Sequence, residues 1–86
     1  MKAMMNWTTF AETTVRPGDA ATQPYRFVLR VREIDGLDGL PQYEYSHHMR
    51  LERDGSLHWG HYDTSITSAV RAFKLRAKQH NVRLKG

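Results

Sequence analysis

The sequence has 86 residues, a formal net charge of +4 at pH 7 and no cysteine. This length suits one domain that buries only about 60 to 65% of the surface of its unfolded chain, so a deep enclosed active site is not expected. Without cysteine, neither disulfides nor a zinc ribbon can stabilise the fold, and an apolar core must do so. The sequence shows no secretory signal and no apolar run long enough to span a bilayer. We therefore expect a cytoplasmic protein without membrane contact.

The charge is distributed unevenly along the chain. Residues 1–63 contain seven basic and nine acidic side chains, whereas residues 64–86 contain six basic side chains and no acidic one. A terminal segment of a single charge attracts polyanions or an acidic protein surface. Cations near the end of a helix also stabilise it by about 0.3 to 1 kcal/mol each, so the same pattern is compatible with a purely structural role.

The first 24 residues predict an arm that precedes the folded domain. They combine Trp7, Phe10 and Val15 with many threonines and alanines, and they end in RPGDAATQP, where two prolines and a glycine indicate a loop. We assign residues 1–24 to an N-terminal arm or an extra edge element, and residues 25–86 to the domain.

Two segments alternate between apolar and polar side chains, which is typical of half-buried strands. The first is YRFVLRVREI, which begins at Tyr25, and the turn-forming stretch DGLDGLP follows it. The second places one set of side chains on a common face, namely Tyr43, Tyr45, His47, Met49 and Leu51. Both segments are predicted to turn their apolar face towards the core.

The Asp-Gly pair at residues 54–55 predicts a hairpin to a third strand and leaves two registers open. In a two-residue turn, Arg53 pairs with Ser56 and Trp59 points to solvent. In a three-residue loop with the glycine in the left-handed conformation, Glu52 pairs with Ser56. We favour the second register, because it gathers the large apolar side chains of both strands, Trp59 included, on one face.

A C-terminal helix is predicted after the third strand. Asp63 or Thr64 is placed to cap its first turn. An apolar stripe follows at helical spacing, formed by Ile66, Ala69, Val70, Phe73 and Ala77. The stripe needs a partner, and the apolar face of the sheet offers one. The predicted fold is therefore α+β, a three-stranded antiparallel sheet packed against one C-terminal helix in the order β-β-β-α.

The histidines raise the possibility of a metal site. In the favoured register His47 lies opposite His61, with Asp63 further along the same side, and zinc accepts such ligands. The sequence lacks the ligand spacing of known zinc sites, so we expect no metal. It also lacks a thiol nucleophile, a Gly-rich phosphate loop and a nucleophile elbow. We expect a protein that is not an enzyme and needs no cofactor.

The polar face of the predicted sheet is rich in arginine. The planar fork of arginine suits phosphates and the guanine edge, and a small β-ribbon fits the major groove of DNA. We predict contacts with nucleic acid, double-stranded DNA in the first place, from this face and the basic C-terminal segment. The predicted contact residues are Arg26, Arg30, Arg32, His48, Arg50, His58, Arg76, Lys78, Arg83 and Lys85. The alternative is a merely hydrated face on which arginine–glutamate pairs occupy some of these groups.

A resemblance to a known family supports this interpretation. WGHYDT, from Trp59 to Thr64, precedes an alanine-bearing helix and resembles a segment in the DNA-binding domains of plant ethylene-response factors, as does YRFVLRVR. Related modules occur in phage homing endonucleases and phage integrases. The resemblance covers residues 25–80 and implies a sheet whose outward arginines enter the major groove. By position, that role falls on Arg26, Arg30, Arg32 and Arg50. The long DGLDGLPQ connection departs from the family pattern.

A second interpretation belongs to a different class of function. A short single domain with a charge-rich face also suits a protein, of the kind that phages and mobile elements encode, that inhibits or adapts a larger complex. Its partner would be an acidic protein surface or a nucleoprotein complex. Binding that weakens steeply with salt would favour the nucleic-acid interpretation.

Overall fold

The computed structural model describes residues 7–18, 23–36 and 39–85, which form four strands and one helix. The elements are β1 (Thr8–Glu12), β2 (Tyr25–Asp35), β3 (Pro41–Leu51), β4 (Leu57–Asp63) and α1 (Ile66–Gln79). The strands form one antiparallel sheet in the order β1-β2-β3-β4, and α1 packs on one of its faces. The predicted α+β class with an antiparallel sheet and a C-terminal helix is confirmed. The predicted number of strands is wrong, since the sheet has four and not three.

The additional strand comes from the N-terminal segment. β1 pairs with β2 from Thr8 opposite Val31 to Glu12 opposite Val28, with an irregularity between. Thr13 follows it and is fully buried, and its hydroxyl accepts a hydrogen bond from the backbone N–H of Phe27 at 3.0 Å. The C-terminal segment joins the same edge, because the backbone N–H of Lys85 donates to the carbonyl of Glu12 at 2.8 Å. Both ends of the described chain are thus tied to β1.

The β2–β3 hairpin is longer than the rest of the sheet. β1 pairs with β2 only as far as Val31, and β4 pairs with β3 only as far as Tyr45. The remaining parts, 32–35 and 41–44, pair only with each other among the described strands, and they extend about 13 Å as a two-stranded ribbon. In sequence, these two parts contain one basic and three acidic side chains, so this ribbon is acidic.

The turn between β3 and β4 differs from both registers considered above. The backbone N–H of Leu51 donates to the carbonyl of Ser56 at 3.0 Å, so the loop has four residues, 52–55. Gly55 adopts a left-handed φ of 73°, as predicted. The loop is held by Asp54, whose carboxylate accepts hydrogen bonds from the backbone N–H and the hydroxyl of Ser56. The predicted pairing of residue 52 with residue 56 is therefore wrong.

Beyond the turn, a β-bulge restores the register that the sequence predicted. His58 pairs with Met49, but His47 pairs with His61, so two residues of β4 lie opposite the single residue 48. Trp59 is one of these two residues and has a positive φ of 50°. The opposition of His47 and His61 is as predicted.

The apolar core lies between the sheet and α1. Its buried members are Phe27, Leu29, Ala69, Phe73, Ala77 and Val82. The alternation in β2 explains this arrangement, since Phe27 and Leu29 face the helix while Arg26 and Arg30 face away. The helix cap is Ser65, whose hydroxyl accepts a hydrogen bond from a backbone N–H of the first turn, so the cap lies just after the two predicted candidates.

Candidate functional site

The outward face of the sheet is where the sequence placed most of the DNA contacts, and two of its arginines are held by carboxylates. Arg26 forms ion pairs with Glu12, at 2.9 Å, and with Glu52. Arg50 lies 3.6 Å from Glu12 and 3.9 Å from Glu52. The hydrogen bond to Glu52 raises the pKa of Arg26. The antiparallel pairing of Arg26 with Arg50 brings the two guanidinium groups together, and Glu12 on β1 and Glu52 in the β3–β4 loop offset their repulsion.

The other two arginines of this face are also engaged. Arg32 donates to Glu44, its direct cross-strand partner, with a shortest distance of 2.7 Å. The guanidinium carbons of Arg30 and Arg32 lie 5.3 Å and 4.6 Å from the ring centroid of Trp7, within the range of cation–π attraction. Burial lowers the pKa of Arg30. A phosphate on this face would have to displace carboxylates or Trp7 before it met a free guanidinium group.

The two histidines assigned to this face occupy different environments. His48 is buried, with Nε2 3.1 Å from the hydroxyl of Ser46 and its ring against Tyr62. A Cβ on Gly60 would lie 2.5 Å from the His48 ring, so this glycine allows β4 to pass over it. Burial lowers the pKa of His48. His58 is exposed at the end of the hairpin, beside the loop.

Two of the predicted basic contacts near the C-terminus have protein partners. Arg76 lies against the sheet, where its Nη1 donates to the carbonyl of Trp59 at 2.6 Å and to Nδ1 of His47 at 3.2 Å. Its guanidinium carbon lies 4.8 Å from the ring centroid of Phe27. Lys85 lies 3.4 Å from Glu12. These contacts make both side chains part of the packing between the helix, the sheet and the C-terminal segment.

The remaining cations of this region are exposed and have no ion-pair partner in the described part of the chain. Lys78 and Arg83 form no ion pair with any described residue, and the same holds for Arg71 and Lys74, which the sequence analysis did not assign to the site. Arg71, Lys74 and Lys78 follow each other at intervals of three and four residues, so they line one side of α1, and we call them the basic stripe. This spacing, in a segment without acids, was the sequence signal for the stripe.

The histidine cluster at the β3–β4 edge does not have the form of a metal site. The rings of His47 and His61 lie 5.0 Å apart, and Nε2 of His61 is 3.5 Å from Asp63. Burial, followed by the charge of Arg76, lowers the pKa of His47 to about 4. Over the described part of the chain, no group of three or more potential ligands is arranged to hold a metal ion.

No protein-family model matches the chain, and comparisons with curated proteins and with solved structures found no match. The resemblance to ethylene-response factor domains therefore stays a prediction from the quoted residues. Within the described ranges, no helix combines the length and the apolar character needed to cross a membrane.

Proposed function

We propose that this protein is a small, non-enzymatic module that binds nucleic acid through the basic stripe of α1 and Arg83. The observation that carries the proposal is the separation of paired from unpaired cations. Three outward arginines of the sheet, Arg26, Arg32 and Arg50, are compensated by Glu12, Glu44 and Glu52, and Arg30 is covered by the ring of Trp7. The basic stripe has no anionic partner among the described residues. Unpaired exposed cations are the groups that release counterions when they meet phosphates.

The geometry of α1 supports this assignment. The helix buries Ala69, Phe73 and Ala77 against the sheet, so the exposed positions between them face solvent. The stripe extends about 10 Å along the helix axis from Arg71 to Lys78 at 1.5 Å per residue. Such a row of cations suits the backbone of double-stranded DNA, whose charges repeat along the duplex axis.

We assign the outward arginines of the sheet a secondary role. A phosphate would gain a charge-assisted hydrogen bond from Arg26 or Arg32, but the same event would remove a carboxylate partner. Replacing an arginine–glutamate pair by an arginine–phosphate pair yields little net free energy, because each surface ion pair is worth only about 0 to 1 kcal/mol. The acidic β2–β3 ribbon adds a repulsive field at the far end of the sheet.

The test is a gel-shift titration with a labelled random-sequence DNA duplex at low salt. The variant Lys74→Gln/Lys78→Gln removes two cations of the stripe, and Arg32→Gln/Arg50→Gln removes the same charge from the sheet. We expect the stripe variant to bind clearly more weakly and the sheet variant to bind nearly as well as the parent, with unchanged circular dichroism for both. The opposite ranking would assign the interface to the sheet, and binding by none of the proteins would refute the proposed function.

A further inference from the structure

A second surface lies on the helix side of the sheet, away from the basic stripe. It is an apolar groove of about 300 Å³ between the β3–β4 hairpin and the C-terminal end of α1. The residues that line it are Gln23, Tyr25, Met49, Leu51, Trp59 and His80. Trp59 is 69% exposed, so a large aromatic side chain is left largely in water beside an apolar depression. Trp, Tyr and Met are residue types that protein interfaces favour.

The backbone at Trp59 lies in the left-handed region, which few residues other than glycine adopt. A φ of 50° is unfavourable for a bulky side chain, and such outliers cluster at functional positions. The strain occurs at the β-bulge, a device that redirects side chains. Met49 pairs with His58. If the strands continued in this register without the extra residue, Trp59 would lie opposite His48 on the outward face. The bulge gives Gly60 a place beside His48 and leaves Trp59 at the groove.

The walls of the groove have few polar groups to offer a ligand. The hydroxyl of Tyr25 and Nδ1 of His80 lie 2.9 Å apart and satisfy each other. The carbonyl of Trp59 already accepts a hydrogen bond from Arg76. Apart from the side-chain amide of Gln23, such a site offers a nucleobase no lining side chain that is free to pair, so most polar atoms of its edge would lack a protein partner, which costs free energy. The groove therefore favours an aliphatic or aromatic side chain.

Positive charge flanks the groove. The guanidinium group of Arg76 contacts the carbonyl of Trp59, and that of Arg16 donates to the carbonyl of His80 at 3.0 Å. Neither arginine has a carboxylate partner among the described residues. A ligand that carries carboxylates next to its apolar group would complement both features of the surface.

We propose that the Trp59 groove binds an apolar side chain from an acidic segment of a partner protein. This proposal is independent of the nucleic-acid proposal, because the groove and the stripe use different sides of α1. Arg76, at the groove, and Lys74, in the stripe, are two residues apart and so differ by about 200° around the helix. The protein can then hold a nucleic acid and an acidic protein segment at the same time.

The test uses NMR on the full chain with methyl-labelled methionine and the indole N–H of tryptophan as reporters. The ligand is a short synthetic peptide with Leu-Phe flanked on both sides by glutamates. We expect it to shift the Met49 methyl and Trp59 indole signals and to bind more weakly as salt rises. A peptide with Ser-Ser in place of Leu-Phe, and one with lysines in place of the glutamates, should bind at least about tenfold more weakly.

Variants distinguish the groove from the rest of the surface. Trp59→Ala and Arg16→Glu should each weaken peptide binding, the first by about tenfold or more. Leu75→Ala is the matched control, since Leu75 is 56% exposed and lies outside the groove, and it should leave binding unchanged. The proposal fails if the peptide shifts neither signal, if the Ser-Ser peptide binds equally well, or if a single-stranded oligonucleotide shifts both signals where the peptide does not.

Discussion

The buried imidazole of His47 should make the fold sensitive to acid. Its Nδ1 accepts a hydrogen bond from Arg76, which can only donate, so the neutral ring carries its hydrogen on Nε2, a buried atom without a hydrogen-bond partner among the described residues. Burial and then the charge of Arg76 lower the pKa of His47 from 6.5 to about 4. The groups whose charges act on the ring are Arg76, His61 and Asp63, together with His48 on the other face of the sheet.

The sign of the effect follows from this lowered pKa. Below pH 6.5 the unfolded chain takes up a proton at His47 that the folded protein rejects until the pH approaches 4. The contribution of neutral His47 to the free energy of unfolding is therefore complete above its unfolded-state pKa of 6.5. It is lost as the pH falls towards its folded-state pKa of about 4. Between pH 7 and pH 4.5 the loss amounts to about 2 kcal/mol. The lowered pKa values of His48 and His80 act in the same direction.

The perturbation is His47→Phe, which keeps a ring of similar shape and removes the titration. Urea unfolding at a series of pH values between 7 and 4.5 gives the free energy of unfolding of the variant and the parent. The variant should lose about 2 kcal/mol less on acidification than the parent. An equal loss in His47→Phe and the parent would show that this imidazole is not the responsible group.

Three further substitutions test the packing and the turns by urea unfolding. Phe73→Ala, at a fully buried position, should cost about 3 to 5 kcal/mol, and a loss below about 1 kcal/mol would contradict its central place in the core. Gly60→Ala should cost about 1 to 3 kcal/mol because the new methyl group meets His48, and adding His48→Ala should recover part of the loss. Gly55→Ala should cost about 1 kcal/mol through its φ of 73° alone, since nothing lies near the new methyl group, and an unchanged stability would show that the turn relaxes.

The sequence predicted the elements that carry a clear period. Alternation defined β2 and β3, and the stripe through Ala69, Phe73 and Ala77 defined α1 and its buried face. Residues 1–24 were assigned to an arm or an extra edge element, and β1 is such an edge element, but it was not counted as a strand because Thr8–Glu12 has no marked alternation. Its pairing depends on β2 and on the C-terminal segment around Lys85, both remote in sequence, and local patterns do not report such contacts.

The site was harder to predict than the fold, because it depends on register and on pairing. Gly55 and Gly60 can each accommodate an irregularity, and the Asp54-Gly55 turn signal pointed only to the first, so the bulge that strains Trp59 was not predicted. The possibility of cross-strand arginine–glutamate pairs was visible from residue types. The sequence did not show which arginines form these pairs. In the structure, Glu44 lies opposite Arg32, and Glu12, which pairs with Arg26, lies on β1, the strand that was not counted in the prediction.

The most direct test of the central claim is the salt dependence of DNA binding by the unmodified protein. If the basic stripe and Arg83 supply four phosphate contacts, the logarithm of the binding constant should fall with the logarithm of the salt concentration with a slope of about −3.6. Participation of the four sheet arginines as well would steepen the slope to about −7. A slope near −3.6 for the parent that falls to about −1.8 in Lys74→Gln/Lys78→Gln supports binding through α1 and Arg83. A slope near −7, or affinity that does not change with salt, contradicts it.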